Sequence, residues 1–81
     1  MILALDVGNT NTVVGGFEGS ALRFSLRMQS DRNKTVDEYV LLLRGLLAEK
    51  EVDLSTVEGG IISSVVPELR YVLGKAMERL T

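Results

Sequence analysis

Met1-Ile2-Leu3-Ala4-Leu5 is an unbroken apolar run that ends in a carboxylate, Asp6, and then in the polar stretch Gly8-Asn9-Thr10-Asn11-Thr12. Apolar residues without alternation over residues 2–7 predict a strand covered on both faces. Such a strand needs partners beside it and a layer on each side, which leaves few architectures open. The carboxylate at its end adds a second demand. Burying it is costly unless a cation or hydrogen-bond donor meets it.

The residues after Asp6 are those a chain uses where its backbone approaches a ligand. Gly8 has no side chain to block the approach and tolerates unusual dihedrals. Asn9, Thr10, Asn11 and Thr12 add short donors and acceptors beside backbone N–H groups. Successive N–H groups in a turn can form an anion-binding concavity. One reading is therefore a metal-nucleotide site, with Asp6 on the cation side and the turn facing phosphate. The other is a plain hairpin turn, Gly-Asn with Asp6 capping nearby amides. The motif by itself favours the plain turn.

Composition removes other classes of function. The chain has 81 residues, 46% of them hydrophobic and 25% charged, as in soluble globular proteins. A net charge of -2 with scattered Lys and Arg gives no nucleic-acid surface. Cysteine and histidine are both absent, which excludes disulfides, thiolate metal sites and Ser-His or Cys-His catalytic pairs in these residues. No apolar stretch reaches the roughly 18 residues of a spanning helix, and no basic leader precedes the first strand. The expected setting is cytoplasmic, with no membrane partner. A chain this short holds one small core, not a two-lobed cleft.

The periodicities give an order of elements. Thr12–Phe17 reads as a second strand loosened by two glycines, Glu18-Gly19-Ser20 as a turn, and Leu22–Gln29 alternates as a half-exposed third strand. Thr35-Val36-Asp37-Glu38 is a capping box with Thr35 as N-cap. Val36, Tyr39, Val40, Leu43, Leu46 and Leu47 form one helical face ending near Ala48, and Glu49-Lys50-Glu51 is a solvated exit. Gly59–Ser64 reads as a short buried fourth strand. Pro67 opens a second helix with Leu69, Val72, Leu73, Ala76, Met77 and Leu80 inward.

The fold class expected is α/β in the order β-β-β-α-β-α, three antiparallel strands and a parallel fourth reached by a crossover. That order resembles the opening of the ribonuclease H-like fold of actin, sugar kinases and heat-shock ATPases, whose first hairpin turn binds phosphate. The acid-Gly-Asn-Thr turn stands in that position, so the ligand-binding reading takes the lead.

A closer resemblance lies in three segments: residues 1–15, Lys34-Thr35-Val36-Asp37-Glu38-Tyr39, and Ile61-Ile62-Ser63-Ser64-Val65-Val66-Pro67. In this order they resemble the start of type III pantothenate kinases. The first is shared loosely across the superfamily; the combination is far more specific. The resemblance implies ATP-dependent phosphorylation of pantothenate, the first committed step towards coenzyme A. It makes Asp6, Val7, Gly8, Asn9, Thr10, Asn11, Thr12 and Val13 the nucleotide phosphate loop, with Gly8 to Thr12 against phosphate oxygens. Asp6 is then the metal residue, holding Mg²⁺ through water. The resemblance also implies a homodimer and a monovalent cation, K⁺ or NH₄⁺. It places that cation's site, the pantothenate contacts, the second lobe and the aspartate base of a Gly-x-Asp-Arg segment beyond residue 81. Residues 1–81 are thus expected to be the N-terminal part of a first actin-like domain, inactive alone and with no catalytic residue of their own.

Plainer readings hold for the remaining polar residues. Thr35 and Asp37 are accounted for by the helix cap and first turn. Ser63 and Ser64 are expected to form a cap before Pro67, with a cleft-facing role left open by the resemblance. Tyr39 is core or partner surface, and Arg23 and Arg27 lie on a solvated face. Two rival functions are another actin-like ATPase or sugar kinase, and a non-enzymatic transcription accessory factor. The Ser-Ser-Val-Val-Pro segment counts against the first, and the acidic charge against the second.

Overall fold

A computed structural model of residues 1–81 shows the elements in the expected order. Strand β1 spans Ile2–Val7, β2 Asn11–Glu18, β3 Ala21–Gln29 and β4 Gly59–Ser64; helix α1 spans Val36–Glu49 and α2 Pro67–Leu80. A single 3₁₀ turn, Leu54–Thr56, precedes β4. The sheet order is β3-β2-β1-β4, with β1 antiparallel to β2 and parallel to β4. The meander of the first three strands and the parallel return of the fourth both follow the reading of the sequence.

Local chemistry explains the boundaries. Thr35 Oγ1 accepts from the Glu38 N–H at 3.2 Å and the Glu38 carboxylate accepts from the Thr35 N–H at 2.8 Å. That reciprocal pair starts α1. Glu51, with φ 58°, takes the left-handed conformation just past the helix, a place where glycine is the usual residue. Between β2 and β3 the turn uses Gly19 at φ 60°.

Every fully buried apolar side chain lies on one side of the sheet. Leu3, Leu5 and Val7 of β1, Val14 of β2, and Leu26 and Met28 of β3 meet Tyr39, Val40, Leu43 and Leu47 of α1. Leu69, Leu73, Ala76, Met77 and Leu80 of α2 complete the same cluster. Gly16 is buried beneath the ring of Phe24, which lies where a Cβ would be. Gly16 therefore lets Phe24 pack closely on β2, where looseness was expected of both glycines.

The opposite side of the sheet departs from expectation. Ala4, Val13, Gly15, Phe17, Leu22 and Ile61 line an open apolar depression of about 310 Å³ there, with Asp6 and Ser63 among its walls. The double-sided cover read from residues 2–7 is therefore single-sided in residues 1–81, because both helices occupy the same face. For the same reason β4 is not buried: it is an edge strand, and Ile61 is 64% exposed. A register shift between Gly16 and Phe17 pairs Phe17 with Leu22 and Gly16 with Phe24. That bulge sends Leu22 and Phe24 to opposite faces, which simple alternation does not show.

Candidate functional site

Strand β1 ends beside the end of β4, and Val7 and Ser64 are partners across the parallel pair. In open α/β sheets, ligands bind at the carboxyl ends of parallel strands, and the β1–β2 turn lies at that end. The turn is closed by the Gly8 N–H donating to the Asn11 carbonyl at 2.9 Å. A Cβ on Gly8 would lie 3.1 Å from that same oxygen, and Gly8 has no positive φ. A side chain at Gly8 would crowd the oxygen that closes the turn, while the backbone angle there is not left-handed.

The eight residues of the predicted loop divide by where they point. Asp6, Asn9, Thr10 and Asn11 are exposed at the tip or just below it, and Gly8 is half-buried. Asp6 makes no side-chain hydrogen bond or ion pair and stands opposite Val13 on β2 and Ser63 on β4. Val13 is half-buried on the open face beside it, whereas Val7 is buried in the core. Thr12 is fully buried, and its hydroxyl pairs with the Ser30 hydroxyl at 2.8 Å. Thr12 thus fastens the turn from beneath with its side chain, while the exposed residues face outward.

Sequence reading missed the second loop of this site. Ser30 follows β3, and its N–H donates to the Thr10 carbonyl at 2.8 Å. Asp31 is held by Tyr39 on both sides of its backbone. The Asp31 N–H donates to the Tyr39 hydroxyl at 2.8 Å, and that hydroxyl donates to the Asp31 carbonyl at 3.0 Å. Beyond this anchor, Arg32 Nη2 donates to Asn9 Oδ1 at 3.1 Å. The only signal in the sequence was the polar run Asp31-Arg32-Asn33-Lys34 between a strand and a helix cap.

Two groups near this end have shifted proton affinities. Burial pushes the Tyr39 hydroxyl above its ordinary value of 10.0. The backbone N–H of Thr35 holds the Glu38 carboxyl below its ordinary 4.5, with the Thr35 hydroxyl adding to it. Both keep their functional charge state near neutrality, Tyr39 as a neutral donor and Glu38 as an anion.

Ser64 does not cap α2 as expected. Its hydroxyl accepts from the Val66 N–H at 2.9 Å and donates to the Val66 carbonyl at 2.8 Å. Val66 is the N-cap and offers no side-chain acceptor. The serine instead shapes the turn into the helix, and Arg70 braces it by donating to the Ser64 carbonyl at 3.1 Å. Ser63 is exposed on the open face, level with Asp6.

The donor set fits a hydrated divalent cation shared with a ligand, not a cage. No three metal-ligating side chains cluster anywhere in the chain. A lone, unpaired carboxylate beside a polar turn matches Mg²⁺, which keeps most of its waters and takes one or two carboxylates plus phosphate oxygens. No helix is long and apolar enough to cross a membrane.

Comparison with known proteins adds an independent line. The sequence profile of the type III pantothenate kinases matches residues 2–81. A protein from Desulforapulum autotrophicum named type III pantothenate kinase is 48% identical over 73 residues, covering 90% of this chain. The chain spans only 28% of the length of that relative.

Proposed function

The chain belongs to the type III pantothenate kinase family, and from that premise we propose that its β1–β2 turn is the ATP phosphate loop of a kinase acting on pantothenate. One observation carries the assignment. Asp6 is exposed and unpaired at the mouth of a tight turn whose tip, Asn9 to Asn11, is exposed at the carboxyl ends of the parallel strands. An exposed carboxylate with no partner in the chain, beside exposed turn donors, is free to take a hydrated cation and a phosphate together.

Transfer of the terminal phosphoryl group needs positioning and stabilisation of negative charge more than covalent participation by the protein. Gly8 keeps the turn tight, and Asn9, Thr10 and Asn11 provide donors for phosphate oxygens. Thr12 holds the turn to the core through Ser30, while Val7 and Val13 fix its two stems in the sheet. Asp6 would orient the waters of Mg²⁺, and that ion when bound supplies charge neutralisation to the phosphates. Residues 1–81 have an open sheet face in place of a closed, water-excluding cleft. The isolated segment is therefore inactive in this proposal. The full-length enzyme is proposed to be a cytoplasmic homodimer.

The test is ADP release by the full-length gene product with Mg-ATP, with and without pantothenate. Pantothenate-dependent release is expected. Binding of ATP without any effect of pantothenate would move the function to another ATPase of the same fold.

A further inference from the structure

We propose that Arg32 is a positioning residue of this nucleotide site, fixing the amide of Asn9 so that its nitrogen faces the phosphates. The proposal rests on the phosphate-loop assignment above and adds a residue from outside the loop. A guanidinium carries donors only. Its bond to Asn9 at 3.1 Å therefore requires the amide oxygen of Asn9 to face Arg32. The amide nitrogen, with two N–H donors, is then turned away and makes no hydrogen bond within the chain. Without Arg32 the amide could flip and present its oxygen to phosphate, replacing attraction by repulsion.

The loop that carries Arg32 is preorganised. Ser30 is bonded to Thr10 through its N–H and to Thr12 through its hydroxyl. Asp31 is clamped by the buried Tyr39 hydroxyl. The neighbouring carboxylate is occupied elsewhere, since Asp31 Oδ1 accepts from the Asn33 N–H at 2.9 Å and Oδ2 lies 3.9 Å from Lys34. Arg32 forms no ion pair. Its positive charge stays uncompensated beside the turn, where a polyanion adds to the effect of the oriented amide.

The experiment is a double-mutant cycle on the full-length protein, with Mg-ATP affinity measured for wild type, Arg32→Ala, Asn9→Ala and the double variant. Arg32 is exposed, so the variants should fold, and a thermal melt checks this. Each single change is expected to weaken Mg-ATP binding roughly ten- to hundredfold, as for loss of a charge-assisted hydrogen bond. The double variant should lose clearly less than the sum of the two single losses, because the oriented donor is shared and only the charge of Arg32 adds to it. Arg32→Lys, which keeps a donor and the charge, should recover part of the loss, and adenosine affinity should not move. Mg-ATP affinity of Arg32→Ala within twofold of wild type would overturn the proposal, as would strictly additive losses in the double variant. If the wild-type protein itself fails to bind Mg-ATP, the phosphate-loop assignment falls and this proposal with it.

Discussion

Gly8 and Asp6 sit two residues apart and fail in different ways when changed. Asp6→Asn keeps the shape and removes the charge, so the full-length enzyme should fold normally and lose roughly ten- to hundredfold in Mg-ATP turnover, the scale of a charged interaction. Near-normal turnover would reduce Asp6 to a turn cap. Gly8→Val should be worse. Its Cβ would lie 3.1 Å from the Asn11 carbonyl, the same oxygen that closes the turn, and the branched side chain also restricts the backbone there. Normal ATP affinity in this variant would remove the turn from the site. The importance of Gly8 was legible in the sequence, but the reason was not. Sequence alone pointed to ligand approach and backbone freedom, whereas the structure shows a carbonyl of the turn itself close to where a side chain would stand. Arg32 was invisible for a related cause: its contact with Asn9 spans 23 residues and depends on how one loop crosses another.

Helix α1 ties the site to the core through Tyr39. The capping box that starts this helix was readable because its chemistry is local, four residues with fixed spacing. The hydroxyl of Tyr39 was not, since apolar periodicity marks a buried ring without saying what its oxygen touches. Tyr39→Phe keeps the ring and deletes both bonds to the Asp31 backbone, at a cost of about 1–3 kcal/mol. It should also loosen the loop that presents Arg32. A pH signature separates this role from packing. Burial raises the Tyr39 hydroxyl above 10.0, so the folded state holds that proton more tightly than the unfolded chain. The contribution is whole below pH 10.0 and is lost as pH climbs through the raised value. Chemical denaturation between neutral and strongly alkaline pH should therefore show wild type losing stability more steeply than Tyr39→Phe. Parallel curves would mean that the proton affinity of the hydroxyl is not raised by folding.

At the scale of the molecule, the sheet has two apolar faces and one covering layer. Leu3, Leu5 and Val7 are buried under the helices, while Ala4 and Ile61 stand on the side that residues 1–81 leave open. The strand order was legible because alternation, capping and turn residues are written locally. The side on which each helix packs was not, because a run apolar on both faces is compatible with cover from either. That same run makes a prediction about longer protein. The relative from Desulforapulum autotrophicum is several times the length of the matched segment, and in a full-length kinase the remainder of the polypeptide is expected to cover Ala4, Val13 and Ile61. Substitutions on the two faces test this. Leu5→Ala should cost about 2–5 kcal/mol wherever it is measured, since it opens a cavity in the core. Ile61→Ala should change the stability of residues 1–81 by no more than about 0.5 kcal/mol, as an exposed site does. In the full-length protein the same change should cost about 2 kcal/mol or more, as a buried isoleucine does. Equal, small effects in both would mean that the face stays open in the enzyme, and the apolar character of Ile61 would then serve a ligand or partner instead of the fold.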